Sequence, residues 1–145
     1  MKLYLLTLLL GYTLFSHAQS EKTFYTTRNG AVDGYDVVAY FTLKKPTEGK
    51  KEFSYEWQGV TWRFANANHL NLFKKNPAQY IPEFGGHCAY GVSRGYKVEI
   101  DPQAWDIYNG KLYLNYDLDV QATWKKDKAG YIEKANKNWA KIKND

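Results

Sequence analysis

The chain has 145 residues, of which 44% are hydrophobic, 17% aromatic and 24% charged. A chain of this length and composition can bury a sizeable core, which excludes a disordered or collagen-like protein. The formal net charge is +5, but acidic and basic residues alternate along the chain. Without a long basic run, we expect this charge to confer solubility rather than to bind nucleic acid.

The N-terminal segment has the pattern of a signal peptide. Lys2 precedes the apolar stretch Leu3–Phe15, which has the length of a signal-peptide core, roughly 7 to 15 residues, and is too short to span a bilayer. Ser16-His17-Ala18 then supplies small residues at the cleavage positions. We therefore expect residues 1–18 to be removed and residues 19–145 to form an exported domain, periplasmic or secreted, without membrane attachment.

Cys88 is the only cysteine, so no disulfide can form within the chain. In an exported protein an unpaired cysteine is expected to be buried, bound to a ligand or reactive. Stability must then come from the aromatic core. Removal of the signal peptide would leave His69 and His87 as the only histidines.

The segment before the first clear hairpin is expected to contain little regular structure. We interpret Glu21–Asn29 as an N-terminal arm in which Thr23–Thr27 has the composition of an edge strand. Asp36 is expected to cap one or two helical turns. Lys44–Lys51 combines proline, glycine and clustered charges, which predicts an exposed loop.

Phe53–Phe64 has the pattern of a β-hairpin with Gln58-Gly59 as its turn. The alternation predicts three apolar cross-strand pairs on one face: Trp57 with Val60, Tyr55 with Trp62, and Phe53 with Phe64. The intervening residues are polar and are expected to face water: Ser54, Glu56, Thr61 and Arg63. A slip of one residue would expose the aromatic face, so the register is well specified.

Helix and turn signals dominate the middle of the chain. Asn66 is a candidate cap for the first helix, and Asn76-Pro77 both ends it and starts a second turn. Gly95 is expected to stop a later short helix. In chain order, the prediction is a helix, a helical turn, an irregular glycine-bearing passage and a short helix: Ala67–Lys75, Asn76–Tyr80, Ile81–Gly86 and His87–Arg94.

A second hairpin is indicated by Asn109-Gly110, the strongest two-residue turn signal in the chain. It predicts three further cross-strand pairs: Tyr108 with Lys111, Ile107 with Leu112, and Trp105 with Leu114. Asp101-Pro102 is expected to break the chain before this hairpin. Val98–Ile100 is then expected to form a separate short strand.

The C-terminal part has helical periodicity, first around Val120 and Trp124 and again after Gly130. In the second stretch apolar residues recur every three or four positions: Ile132, Ala135, Trp139 and Ile142. We therefore expect a small α+β domain in which two β-hairpins pack with short helices and a C-terminal helical segment.

In this order, the motifs resemble the YHS domain family. The resemblance is carried by the first hairpin, by the helix that Asn66 starts, and by two short motifs: Asn76-Pro77-Ala78-Gln79-Tyr80 and Phe84-Gly85-Gly86-His87-Cys88-Ala89. Three flanking stretches resemble the longer, exported bacterial branch of the family: Gly34–Phe41, Asp101–Trp105 and Gly110–Tyr116. The resemblance covers nearly all of residues 19–145 and implies a metal-binding domain, with copper often suggested.

The resemblance carries over two residues, Cys88 in the Gly-Gly-x-Cys motif and Asp36 in the Gly-Tyr-Asp motif. Where shorter members have an early cysteine, this chain has Val37-Val38-Ala39, so one thiolate ligand is missing. His87 is a candidate on chemical grounds, because a thiolate binds Cu(I) or zinc and a neighbouring imidazole adds a nitrogen ligand. A closed zinc site needs about four protein ligands. An open or two-coordinate Cu(I) site at Cys88, His87 and Asp36 is therefore favoured over zinc.

A structural role stays open for each of these residues. Cys88 fits equally well as a small buried hydrophobe, and Asp36 as a helix cap needs no ligand. His69 is expected to be a surface residue or a local hydrogen-bond partner. No stretch resembles a hydrolase signature, so we predict no catalytic residue. Two hypotheses remain: an exported, non-enzymatic protein that binds a soft metal of the copper type, or a small-ligand or protein-interaction module in which Cys88 is structural.

Overall fold

The computed structural model describes residues 23–145. The predicted signal peptide, residues 1–18, and the start of the N-terminal arm lie outside this range. Within it, no helix combines the length and the hydrophobicity needed to cross a membrane. The described chain forms six α-helices and three two-stranded antiparallel sheets, which confirms the predicted α+β class.

Two short strands and a 3-10 turn open the described chain: β1 (Thr26–Thr27), β2 (Gly30–Ala31) and the turn Val32–Gly34. The predicted edge strand Thr23–Thr27 is thus reduced to its last two residues, which pair with β2. Helix α1 (Val37–Thr42) begins at Asp36. The Asp36 side chain accepts hydrogen bonds from the backbone N–H of Val38 and Ala39, as the capping pattern predicts.

The first hairpin consists of two strands, β3 (Lys50–Trp57) and β4 (Val60–Phe64). Two of its three predicted pairs are confirmed: Trp57 with Val60, and Tyr55 with Trp62. Because β3 begins at Lys50, the predicted loop Lys44–Lys51 ends earlier than expected. The β4 side chains on the apolar face are buried, whereas those of β3 are half-buried.

The third predicted pair of this hairpin is wrong. Phe64 lies opposite Lys50 rather than Phe53, because a β-bulge between Lys50 and Ser54 shifts the register. The hydroxyl of Ser54 donates a hydrogen bond of 2.7 Å to the carbonyl of Lys51 and so closes the bulge. A bulge adds residues to one strand only, and the alternation of side chains does not reveal it.

The predicted helix over Ala67–Lys75 is confirmed as α2. Its cap, Asn66, accepts a hydrogen bond of 2.8 Å from the backbone N–H of His69. Helix α3 (Pro77–Tyr80) follows at once, although the Asn76 side chain accepts no capping hydrogen bond from its backbone.

A 3-10 turn over Glu83–Gly86 leads into helix α4 (Ala89–Ser93). A Cβ on Gly85 would lie 1.9 Å from the carbonyl oxygen of Thr23, so the N-terminal segment can cross here only because this residue is glycine. The turn places the ring of Phe84 in the core, where it is buried. These glycines thus have a structural role.

The second hairpin pairs β5 (Asp101–Tyr108) with β6 (Lys111–Asn115). All three predicted pairs are confirmed: Tyr108 with Lys111, Ile107 with Leu112, and Trp105 with Leu114. The separate strand predicted over Val98–Ile100 is wrong, because that segment forms no strand and β5 itself starts at Asp101. Pro102 is accommodated where the register shifts between Asp101 and Trp105, and its carbonyl accepts the hydroxyl of Tyr40 at 2.9 Å.

Two helices complete the fold: α5 (Leu118–Lys125) and α6 (Lys128–Ile142). Asp117 and Asp127 cap them by accepting backbone hydrogen bonds of 2.7 Å and 3.0 Å. The second helix was predicted to follow Gly130, but it begins earlier because Asp127 supplies the cap.

The core has two parts that meet at the second hairpin. The larger part is built from both hairpins, α1 and α2, and includes Cys88. The smaller part joins β6 to α5 and α6 through buried rings such as Tyr113 and Trp124. Leu112 and Leu114 belong to the larger part and Tyr113 to the smaller one, so both faces of β6 are covered.

Candidate functional site

Cys88 is buried at the N-terminus of α4, with 1% of its surface exposed. Its Sγ accepts hydrogen bonds from the backbone N–H of Gly91 at 3.4 Å and of Tyr116 at 3.3 Å. The S–H group donates to Oδ1 of Asn115 at 3.6 Å. These contacts tie α4 to the end of β6, so Cys88 stabilises the fold.

The environment of Cys88 favours the thiol over the thiolate. Burial raises the pKa of Cys88, and the N–H donors of Gly91 and Tyr116 offset only part of this effect. The thiolate form of cysteine acts as a nucleophile and as a metal ligand, whereas the thiol form does both poorly. At neutral pH the sulfur is therefore in the protonated thiol form.

The ring of His87 packs against two aromatic rings. Its centroid lies 6.0 Å from that of Tyr25 and 5.9 Å from that of Trp139. Burial, together with the nearby charge of Lys97, lowers the pKa of His87 to about 4, so the ring is neutral at pH 7. Its Nε2 is buried and has no hydrogen-bond partner among residues 23–145.

Asp36 is fully buried, and its carboxylate accepts four hydrogen bonds. Oδ1 accepts the backbone N–H of Val38 at 2.9 Å and of Ala39 at 3.1 Å. Oδ2 accepts the backbone N–H of Ala65 at 2.9 Å and Nδ1–H of His69 at 2.6 Å. Because a carboxylate offers about four lone-pair sites, Asp36 is saturated by the protein itself.

Of the two roles expected for His69, the surface position is wrong, and the residue is instead a buried hydrogen-bond partner. The residue is 5% exposed, because the carboxylate of Asp36 holds its ring inside the fold. Its Nε2 lies 3.1 Å from Oγ1 of Thr42, whose hydroxyl also contacts the carbonyl of Val38 at 3.2 Å. His69 therefore joins α2 to both ends of α1.

The three predicted metal ligands do not form a cluster. Cys88, His87 and Asp36 have separate sets of partners, and residues 23–145 contain no group of three or more His, Cys, Asp or Glu side chains that could hold a metal ion. A structural zinc site would need such a group. A two-coordinate Cu(I) site at Cys88 needs fewer protein ligands and stays a prediction.

A shallow depression of about 440 Å³ opens beside Cys88. Its lining is mostly apolar and includes Cys88, Arg94, Tyr96, Val98, Tyr116 and Val120. Tyr96 and Tyr116 are 67% and 45% exposed, unusually high values for aromatic residues in this fold. Neither tyrosine was predicted as a binding residue, because the local sequence pattern does not show whether a side chain just after a helix stop or a strand is exposed.

Comparisons of the chain with protein-family models, with curated proteins and with solved structures found no match. The resemblance to the YHS domain family therefore stays a prediction from the motifs quoted above.

Proposed function

We propose that this protein is a non-enzymatic binding module that holds a small aromatic ligand in the depression beside Cys88. The observation that carries the proposal is that Tyr96 and Tyr116, two highly exposed rings, line the same apolar concavity. Single exposed apolar residues are common on protein surfaces, but a concave apolar surface with exposed rings is typical of a binding site.

The lining favours a flat aromatic molecule over a sugar. Val98 and Val120 provide apolar contacts, and the tyrosine rings offer faces for stacking. A volume of about 440 Å³ lies within the range of small-molecule sites, roughly 300 to 1,000 Å³. Arg94, the charged residue in the lining, makes no salt bridge with any residue of the described range, which favours a ligand with an acidic group.

The surroundings of Cys88 support a binding role rather than catalysis. Its sulfur exchanges hydrogen bonds with Gly91, Tyr116 and Asn115, and no imidazole of the described chain is among these partners. A cysteine nucleophile needs an adjacent base or a lowered pKa. Burial raises the pKa of Cys88 instead.

A soft-metal function of the copper type is the second candidate. It is supported by the position of Cys88, whose side chain lines an open depression and supplies the one thiol of the chain. Cu(I) would displace the thiol proton, so its affinity should fall as the pH drops. The predicted additional ligands, His87 and Asp36, form no metal-binding group with Cys88 in the described chain, so this candidate function depends on Cys88.

Titration with 2-naphthoate, followed by amide NMR shifts, tests the aromatic-ligand proposal. We expect the largest shifts at residues that line the depression. Tyr96→Ala and Tyr116→Ala should each weaken binding by about two- to tenfold, because each removes one aromatic contact. Leu43→Ala is the matched control, since Leu43 is also exposed but lies outside the depression. Absence of shifts at the lining would contradict the proposal.

Competition for Cu(I) against bicinchoninate under reducing conditions tests the second candidate. Capture of Cu(I) by the wild-type protein and its loss in Cys88→Ser would support a soft-metal function. Equal behaviour of the two proteins would contradict it. Addition of 2-naphthoate to the same samples shows whether the metal and the aromatic ligand compete for one site.

A further inference from the structure

Two arginines line a second, polar depression of about 370 Å³ between the β1–β2 turn and the first hairpin. Only three of the 20 Lys and Arg residues are arginines, and Arg28 and Arg63 both lie here. Thr26, Thr27 and Thr61 add hydroxyl groups to the lining. A guanidinium presents a planar fork of donors that fits a carboxylate or a phosphate, which an ammonium group does not. Two arginines at this place therefore suit the binding of an oxyanion.

The backbone brings the two arginines together although they are far apart in sequence. A Cβ on Gly30 would lie 2.6 Å from the carbonyl oxygen of Thr61, so β2 can approach β4 this closely only at a glycine. Arg28 precedes Gly30 in the turn, and Arg63 follows Thr61 in β4. The same close approach thus places both side chains at one depression.

The turn that carries Arg28 is fixed by hydrogen bonds. Oδ1 of Asp33 accepts the hydroxyl of Thr27 at 2.7 Å and Nδ2 of Asn29 at 2.9 Å. These two donors flank Arg28 on both sides in sequence. Because the backbone of Arg28 is already ordered, a ligand need not bear the entropic cost of ordering it.

The described chain does not neutralise the two guanidinium groups. Arg28 and Arg63 make no salt bridge within residues 23–145, and Nε of Arg63 is buried there without a hydrogen-bond partner. The acidic residue in the lining, Glu56, accepts the hydroxyl of Thr61. Beyond Arg63, a neighbouring hollow contains Glu48 and the turn-forming Asp33. The depression itself therefore has two positive charges against one negative charge.

We propose that this depression is an anion site that binds the carboxylate or phosphate group of a small hydroxylated ligand. Arg28 and Arg63 hold the oxyanion through charge-assisted hydrogen bonds. Glu56 and the threonine hydroxyls bind the hydroxyl groups of the same ligand. The residues that line this depression differ from those that line the aromatic one, so the two sites are independent.

Titrations with inorganic phosphate and with glucuronate distinguish the two possible oxyanions, and glucose serves as the uncharged control. We expect at least one anion to shift the amide NMR signals of the lining residues, and glucose to leave them in place. Arg28→Gln and Arg63→Gln should each weaken binding by about tenfold or more, because each removes a charge-assisted contact. Arg63→Lys keeps the charge without the fork and should restore only part of the affinity.

Lys141→Gln is the control for net charge, because it removes one positive charge from an exposed position on α6. We expect this variant to bind the anion as the wild-type protein does. Melting curves show that each variant is folded before it is titrated. The proposal is overturned if neither anion shifts the lining amides, or if Lys141→Gln weakens binding as much as the two arginine variants do.

Discussion

Nδ1 of His69 lies 2.6 Å from Oδ2 of Asp36, and both side chains are buried. This pair links the start of α1 to α2 and continues through Nε2 of His69 to Thr42. Oδ2 also accepts the backbone N–H of Ala65, just after β4. A carboxylate that was predicted as a metal ligand thus organises the junction of two helices and a strand.

Replacement of Asp36 should destabilise the protein strongly. In Asp36→Asn an NH₂ group replaces one carboxylate oxygen. This group cannot accept the hydrogen bonds that the replaced oxygen receives in the wild-type protein. We expect the free energy of unfolding to fall by about 3 to 5 kcal/mol, the usual cost of breaking a buried pair. Urea denaturation measures this loss. Asp119→Asn, at an exposed position of α5, should change stability little, and a similar loss in both variants would contradict this role of Asp36.

The centre of the first hairpin should be the most sensitive part of the larger core. The ring of Trp62 is 1% exposed and lies 5.3 Å from Phe73 and 5.4 Å from Phe24, measured between centroids. Trp62→Ala should lower the free energy of unfolding by about 3 to 5 kcal/mol, because it leaves a large cavity. Thr61→Ala, on the opposite face of β4, should have a mild effect. Comparable losses in denaturant melts would disprove the assigned register.

The pH dependence of stability should include a contribution from His87. The pKa of this ring is about 4 in the folded protein against an ordinary value of 6.5, so between these values the unfolded chain binds a proton that the folded chain does not. Neutral His87 makes its full contribution to the free energy of unfolding above about pH 6.5. This contribution falls as the pH drops from 6.5 towards 4, and the loss levels off below pH 4. His87→Phe keeps an aromatic ring without this titration. Urea melts from pH 7 to pH 4 should show a steeper loss for the wild-type protein.

Substitution of Cys88 separates its structural role from a metal-binding one. Cys88→Ala removes the acceptor for the N–H groups of Gly91 and Tyr116, so we expect a loss of about 1 to 3 kcal/mol in the free energy of unfolding. Cys88→Ser retains an acceptor and should lose less. An unchanged melting curve for Cys88→Ala, together with loss of Cu(I) capture, would favour the metal-binding role.

Export is the remaining prediction from the sequence. If residues 1–18 are a signal peptide, intact-mass measurement of the exported protein should find a chain that starts at Gln19, with or without cyclisation of this residue. The alternative result is a chain that keeps Met1 and stays with the membrane fraction.

Sequence patterns were most successful where a structure depends on neighbours along the chain. Both hairpin turns, Gln58-Gly59 and Asn109-Gly110, set the pairing next to them correctly. Asn66 and Asp36 were correctly identified as helix caps. Turn geometry and capping involve backbone groups a few residues away, so the residue types suffice to predict them.

By itself, then, the sequence determined the α+β class, the local helices and most of the hairpin register. Only the tertiary structure decided that Asp36 binds His69, that a bulge separates Phe53 from Phe64, and which side chains line each depression. Arg28 meets Arg63 because Gly30 lets two strands approach, a contact that no local pattern encodes. Such contacts depend on how distant segments pack against one another, whereas periodicity and turn signals report only on residues close together in the chain.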